Sequence, residues 1–145
     1  MSETRLTAMP GDFEPPVAYD RCFDAVYGLQ IVQDDPEGGA VRARIDVRPE
    51  VCDHEGALAG GVVAAAAEAI ASRGTAQAVM PGGRLAQGLS NDTTMFGRVA
   101  GGHADALARV VGRTDSEWVW SVEFADAART PCALARVTVA VRTPR

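Results

Sequence analysis

One stretch of this chain has the length and composition of a long helix, and strand-like sequence lies on both sides of it. Residues 57–79 are dominated by Ala and Val and end before the helix-breaking run Pro81, Gly82 and Gly83. Such small apolar side chains predict a helix that packs close to another layer of structure. Residues 18–28 predict a second, short helix that ends at Gly28. The rest of the chain therefore has to supply a sheet to cover the long helix.

Alternating apolar and polar residues predict the strands of that sheet. Val41 and Ile45 share one strand face and Arg42 and Arg44 the other, which is typical of a strand with one solvated face. The predicted strands cover residues 29–32, 41–48, 85–99, 104–113, 117–124 and 133–141, with a turn at 34–39. Two strands, a long helix and four strands predict an α+β fold, an antiparallel sheet with the helix against its apolar face.

A sheet that has only one helix to cover it leaves edges and apolar surface exposed, so we expect a homo-oligomer. Trp118 and Trp120 share a strand face, which predicts packing in the core or at a subunit interface. Residues 1–17 contain four Pro or Gly residues and no periodicity. They predict a flexible arm ahead of a single domain formed by residues 18–145.

Charge and composition exclude several classes of function. The formal net charge of −5 argues against a nucleic acid partner, because a phosphate backbone calls for a basic surface. No apolar signal core or bilayer-length apolar run is present, so we expect no membrane partner and a cytoplasmic location. The spacing of Cys22, Cys52 and Cys132 predicts reduced thiols. No metal site is expected, because His54 has no second histidine nearby and His103 is predicted to lie in a turn.

The residues around the start of the long helix are the candidates for chemistry. Glu68 interrupts the apolar run, and a carboxylate there is costly to bury unless it is exposed, paired or used. Gly60 and Gly61 let another molecule approach the free N–H groups of the helix N-terminus. An amide that polarises a carbonyl and a carboxylate that drives attack on it indicate acyl chemistry. Structural interpretations stay open: a solvated helix face for Glu68, close packing for Gly60, and a cap or turn for Asp53.

The order of elements, with glycines that open the helix and an acid in its second or third turn, resembles the hot-dog fold thioesterases. The similarity is closer to the 4-hydroxybenzoyl-CoA thioesterases of the Arthrobacter type, within the phenylacetate-pathway thioesterase group. It covers about residues 17–145 and is carried by the segments GALAGGVVAAAAEAIAS, GLSNDTTMF, SEWVWSV and VTVAVRTPR. The resemblance implies a hot-dog fold, in which an antiparallel sheet wraps around one long central helix. It also implies hydrolysis of an acyl-CoA, with an aromatic or compact acyl group, to the free acid and CoA. No metal or bound cofactor is then needed, and coenzyme A enters as part of the substrate.

The resemblance assigns catalytic roles to particular residues. Glu68 takes the position of the nucleophile or general base, and Gly60 that of the N–H group that polarises the thioester carbonyl. Ser72 takes the position of a hydroxyl residue beside the acid. Active sites of this family lie between the subunits of a dimer, often within a tetramer. Gly60 and Glu68 of one site are therefore expected to come from different chains of a homodimer or homotetramer.

Further positions are assigned to substrate binding. For the nucleotide end of CoA the resemblance points to Asp115 and Ser116 and to the C-terminal Arg145. Arg98 is an additional candidate for a phosphate contact, since arginine suits phosphate recognition. Gly61 and His54, next to the catalytic positions, are expected to contact the substrate near the thioester.

Two positions depart from the family pattern. The motif histidine is Ala59 here, and the amide residue that helps place the thioester or water is Asp53. His54 could partly replace the missing imidazole. If Asp53 and Glu68 face each other, repulsion should raise the pKa of one and give an acid and a base at neutral pH. Two alternatives therefore stay open: a biosynthetic acid/base reaction on the same scaffold, such as dehydration, cyclisation or decarboxylation, and a non-catalytic acyl-CoA binding module.

Overall fold

One long helix packs against one antiparallel sheet in the computed structural model, which describes residues 14–35, 37 and 39–145. The described residues form, in chain order, α1 (Phe23–Val26), β1 (Gln30–Asp35), β2 (Ala40–Asp46), α2 (Gly60–Val79), β3 (Leu85–Met95), β4 (His103–Arg113), β5 (Glu117–Asp126) and β6 (Pro131–Arg142). Short 3-10 helices lie at Pro49–Val51 and Met80–Gly82. In this part of the chain six strands form the order β1-β2-β4-β5-β6-β3, with neighbours antiparallel. The predicted α+β fold is confirmed.

The boundaries of several elements differ from the sequence prediction. Local backbone geometry and hydrogen bonds explain where α2 begins and where β3 ends. Helix α2 begins at Gly60, three residues later than predicted, because Leu58 forms an antiparallel bridge with Cys52 and Ala59 has an extended backbone with a ψ of 136°. Strand β3 ends at Met95, since the N–H groups of residues 96 and 97 both donate to the carbonyl of Cys132. The short helix predicted over residues 18–28 shrinks to α1, strand β1 continues into the predicted turn, and His103 begins β4.

The core lies between α2 and the inner face of the sheet. Trp120 of β5 is fully buried there, and its indole N–H donates a 2.9 Å hydrogen bond to the Thr75 hydroxyl on α2. Thr75 in turn donates to the Ala71 carbonyl at 3.0 Å. A Cβ atom at Gly74 would overlap the Trp120 ring, 2.8 Å from its Cζ2 atom. Both tryptophans are buried, with Trp118 stacked on Trp120 at 6.1 Å between centroids, so they pack in the core.

Strand β3 forms one edge of the sheet and is exposed along most of its length. It pairs with β6 from Leu85 to Met95, and no other strand of the described residues pairs with its outer edge. Leu85 and Leu89 are each 47% exposed on this edge. Long unpaired edges with apolar side chains favour association with another strand. The exposure of β3 is therefore consistent with the expected oligomer, which stays a prediction.

The described residues can also be compared with the predictions about membrane spans, metal sites and cysteine thiols. Among the described helices, none combines the length and apolar character needed to cross a membrane. No group of three or more His, Cys, Asp or Glu in the described residues is placed to hold a metal ion. The thiol of Cys132 is buried, while those of Cys22 and Cys52 are half-buried. Most of the predicted N-terminal arm, residues 1–13, lies outside the described residues, so the domain boundary at residue 17 stays a prediction.

Candidate active site

The carboxylate of Glu68 lies in an open groove between α2 and the neighbouring elements. Ser72, one helical turn further on, donates a 2.8 Å hydrogen bond from Oγ to Glu68 Oε1. Among the described residues, Oε2 has no hydrogen-bond partner. The groove has a volume of about 510 Å³ and is lined by Phe23, Asp24, Ala64, Ala65, Glu68, Asn91 and Thr93. One carboxylate oxygen is thus held and the other is open to a bound molecule.

One hydrogen bond between elements and two local ones hold the walls of this groove. The Asn91 amide of β3 donates to the Ala64 carbonyl of α2 at 2.8 Å, and the Thr93 hydroxyl donates to Asn91 Oδ1 at 2.7 Å. At the α1 wall, behind the lining residue Asp24, the Tyr27 hydroxyl donates to Asp24 Oδ1 at 2.7 Å. The pKa of the Tyr27 phenol is raised far above its usual value, mainly because the ring is buried and also because Asp24 is negatively charged. The phenol therefore stays protonated and keeps donating this hydrogen bond.

Sequence reasoning missed most of the groove. Phe23 and Asp24 belong to the short helix α1, and only the tertiary fold brings them to Glu68. Asn91 and Thr93 are part of the GLSNDTTMF segment that supports the resemblance, but β3 shows no clean alternation that would indicate which of its residues face α2. No local signal in the sequence could have placed these four residues together.

The N-terminus of α2 presents backbone donors to solvent. Ala59 is the N-cap residue and provides no side-chain cap. Val62 is the first residue of α2 whose N–H bonds back, to the Ala59 carbonyl at 3.0 Å. Within the described residues, the N–H groups of Gly60 and Gly61 donate to no acceptor, and both glycines are exposed. Such free donors at a helix N-terminus are suited to bind an oxyanion.

Asp53 belongs to a tight turn that precedes the helix. Its Oδ1 atom accepts hydrogen bonds from the backbone N–H groups of Glu55 at 2.9 Å and Ala57 at 3.1 Å. These bonds, that from Ala57 first, lower the pKa of Asp53. His54 and Glu55 are exposed on the same turn, and Glu55 Oε2 forms a 2.7 Å ion pair with Arg98. Asp53 therefore has the geometry of a turn residue, which is one of the two structural roles that the sequence left open for it, and its carboxylate is ionised.

The distances along α2 separate the candidates within one chain. Gly60 and Glu68 are eight residues apart on the same helix, which corresponds to about 12 Å. Asp53 lies before the N-terminal end of that helix, and Glu68 is not among the charges that act on its pKa. The two carboxylates therefore do not face each other within one chain.

The candidates for CoA binding lie at two opposite ends of the sheet. Asp115 and Ser116 form the turn between β4 and β5, where the Ser116 carbonyl accepts a 2.8 Å bond from the N–H of Val141. Arg145 lies three residues beyond β6 at the same end. Arg98 follows the far end of β3, a strand of 11 residues that spans roughly 35 Å. One chain therefore does not bring Arg98 to the other three candidates.

Comparisons with known proteins agree with this fold. No family model matches the chain. Rv1847, a candidate esterase of Mycobacterium tuberculosis, is 31% identical over 107 residues, which is 72% of this chain and 74% of that protein. Its solved structure is similar with a TM-score of 0.79 at 28% identity, covering 85% of this chain and 98% of that one.

Two further solved structures have the same architecture. AziG of S. sahachiroi is 31% identical with a TM-score of 0.74, covering 81% of this chain and 94% of that chain. A variant of thioesterase PA1618 from Pseudomonas aeruginosa reaches a TM-score of 0.80 at 21% identity, covering 85% and 87%, and at this identity shows the fold alone. With the identity to Rv1847 over more than two thirds of both chains, the chain belongs to the hot-dog fold thioesterases, a family of thioester hydrolases.

Proposed function

We propose that this protein hydrolyses acyl-CoA thioesters to the free acid and coenzyme A. Glu68 attacks the thioester carbonyl or activates water, and the Gly60 N–H stabilises the oxyanion. The observation that carries the proposal is the state of the Glu68 carboxylate, which lies in an open groove with Oε1 held by Ser72 and Oε2 without a partner among the described residues. A carboxylate presented in this way can act as nucleophile or base without first breaking an ion pair.

The separation of the two catalytic groups supports a site that two chains share. A glutamate side chain reaches only about 5 Å from its own Cα, so within one helix more than half of the about 12 Å to Gly60 is left for the thioester and an attacking water to span. The exposed strand β3 runs beside both groups: a Cβ atom added at Gly60 would lie 3.5 Å from Met95 Cγ, and Asn91 lines the groove of Glu68. We therefore propose a homodimer, or a homotetramer built from such dimers, in which Gly60 of one subunit and Glu68 of its partner act on one thioester.

The groove supports an acyl group that is aromatic or compact. The aromatic ring of Phe23 and the small side chains of Ala64 and Ala65 form its apolar lining. A ring can pack against these surfaces, whereas a long alkyl chain needs a deeper apolar channel. Gly61 and His54 then lie near the thioester, beside the N-terminus of α2.

The nucleotide end of CoA is assigned to residues from different chains. Asp115, Ser116 and Arg145 lie at one end of the sheet, and Arg98 lies at the other. In the proposed dimer the phosphate contacts come from Arg98 of one chain and from Ser116 and Arg145 of another. The ion pair between Arg98 and Glu55 is exposed, with side-chain exposures of 54% and 59%, so a phosphate can replace the carboxylate at little cost.

The turn around Asp53 argues against a proton-donating role for this residue. Because its two backbone hydrogen bonds lower the pKa of Asp53, the group has no proton to donate at neutral pH. An ionised Asp53 can still orient water, which the hydrolytic reaction needs.

The test is thiol release, followed with a thiol-reactive dye, across a panel of aromatic and short aliphatic acyl-CoAs. We expect wild type to turn over at least one member and Glu68→Ala to lose about 100-fold or more of kcat. Glu123→Ala, which removes an exposed glutamate from the outer face of β5, is the matched control and should keep wild-type rates. Full activity of Glu68→Ala contradicts the mechanism. Acyl-CoA binding to wild type without any thiol release identifies a binding module instead.

A further inference from the structure

Strand β3 contains an irregularity next to Glu68. Gly88 pairs with Val139 and Ser90 pairs with Thr138, so Leu89 is an extra residue in β3, a β-bulge. Gly88 does not have a positive φ, and the backbone there is accessible to any residue. What a glycine provides at this position is therefore the space that its missing side chain leaves.

That space is occupied by the carboxylate of Glu68. A Cβ atom at residue 88 would lie 2.5 Å from Glu68 Oε1, 3.3 Å from Cδ and 3.4 Å from Cγ. Contacts below 3 Å between carbon and oxygen are strongly repulsive, so any side chain at residue 88 displaces the carboxylate. The same oxygen, Oε1, accepts the hydrogen bond from Ser72. Two elements therefore act on the same oxygen of Glu68: Gly88 of β3 leaves space for Oε1, and Ser72 of α2 donates a hydrogen bond to it.

We infer that Gly88 is a positioning residue for Glu68, and this inference rests on the proposed function. The bare backbone of Gly88 lets Glu68 Oε1 lie against β3, where Ser72 holds it. Oε2 is thereby left as the oxygen that faces the substrate. The bulge at Leu89 fits this role, because bulges often adjust the local geometry of a strand beside an active site.

The experiment compares Gly88→Ala with Gly112→Ala on the best acyl-CoA substrate of the panel. Gly112 is a matched control, since it is an exposed strand glycine beside a β-bulge in β4, has no positive φ, and its added Cβ would meet no atom within 4 Å. We expect Gly88→Ala to lower kcat about tenfold or more while KM stays within about twofold, because the carboxylate is displaced but the binding groove remains. Gly112→Ala should retain wild-type kcat and KM.

A double variant separates positioning from a general structural effect. If Gly88 acts through Oε1, the effect of Gly88→Ala should be several-fold smaller in a Ser72→Ala background, since both substitutions release the same oxygen. Independent, multiplicative effects of the two substitutions overturn the inference. Equal kcat values for Gly88→Ala and Gly112→Ala overturn it as well.

Thermal unfolding shows whether any loss of stability in Gly88→Ala comes from the conflict with the Glu68 carboxylate. Should Gly88→Ala lower Tm more than Gly112→Ala does, shortening the opposing side chain in Glu68→Asp/Gly88→Ala should restore Tm, because the conflict is with the carboxylate. A Tm that stays low in the double variant overturns the inference. An active Glu68→Ala would refute the proposed function itself, whereas an inactive Glu68→Ala with an active Gly88→Ala refutes only the role of Gly88.

Discussion

At the scale of single residues, the turn around Asp53 shows how backbone geometry sets the charge of a side chain. The carboxylate is exposed, yet two N–H groups point at one of its oxygens and favour the ionised form. An asparagine at this position can accept the same two hydrogen bonds through its side-chain oxygen. Carboxylate and amide therefore differ here in charge and not in the shape of the turn.

We predict that Asp53→Asn keeps the fold and retains or increases thiol release, because the turn keeps its acceptor and a negative charge is removed from the site. The pKa of Asp53 is lowered on folding, so its charged form stabilises the folded chain above about pH 4. That contribution is lost as the pH falls through the lowered pKa. The difference in Tm between wild type and Asp53→Asn should therefore shrink at acid pH, as measured by thermal melts between about pH 3 and pH 7.

Two outcomes contradict this interpretation of Asp53. Loss of thiol release in Asp53→Asn with an intact fold shows that the carboxylate itself takes part in hydrolysis, as a base that an amide cannot replace. A Tm difference that does not change with pH shows that the backbone hydrogen bonds do not favour the charged form.

At the scale of elements, α2 and β5 are fitted to each other around Trp120. Gly74 provides room for the indole ring, and the Thr75 hydroxyl accepts a hydrogen bond from its N–H. The ring therefore cannot move away from the helix without breaking a buried hydrogen bond, which costs about 1–3 kcal/mol.

We predict that Gly74→Ala lowers the free energy of unfolding by roughly 1–2 kcal/mol. Overpacking costs about 1–3 kcal/mol and the higher helix propensity of alanine returns at most about 1 kcal/mol, so the steric term dominates. Gly61→Ala is the control in the same helix, since its Cβ would meet no atom within 4 Å, and it should leave stability unchanged or slightly higher. Denaturant unfolding measures both variants. A Gly74→Ala protein at least as stable as wild type would show that the sheet can shift away from α2.

The elements themselves were largely predictable, because their signals are local. Alternation identified β2, β5 and β6, and the face of β5 that carries Trp118 and Trp120 is buried in the core, one of the two placements predicted for them. The start of α2 was not predictable, since Leu58 lies outside the helix in a bridge with Cys52 that no sequence pattern marks. Strand β3 was predicted too long because residues 96 and 97 bond to the distant Cys132.

At the scale of the whole molecule, the candidate site depends on contacts that no local pattern reveals. Glu68 and Gly60 were proposed from the sequence because an acid in an apolar helix and a glycine pair are unusual, and the resemblance gave them roles. Phe23, Asp24 and Gly88 were missed because they reach Glu68 only through the packing of α1 and β3 on α2. The proposed catalytic groups, Gly60 and Glu68, lie about 12 Å apart on one helix, which leads to a prediction about subunits.

We predict that two inactive variants complement each other in a heterodimer. Gly60→Pro removes the N–H donor but suits the first position of a helix, and the extended backbone of Ala59 is compatible with a following proline. A heterodimer of Gly60→Pro with Glu68→Ala, purified through two different tags, has one complete site and should show about half of the wild-type kcat per dimer. The reciprocal control joins wild type to a chain with both substitutions, and there each site lacks one group, so thiol release should be nearly abolished. If Gly60 and Glu68 act within one chain, the two results exchange places, with the control half-active and the complementing pair inactive.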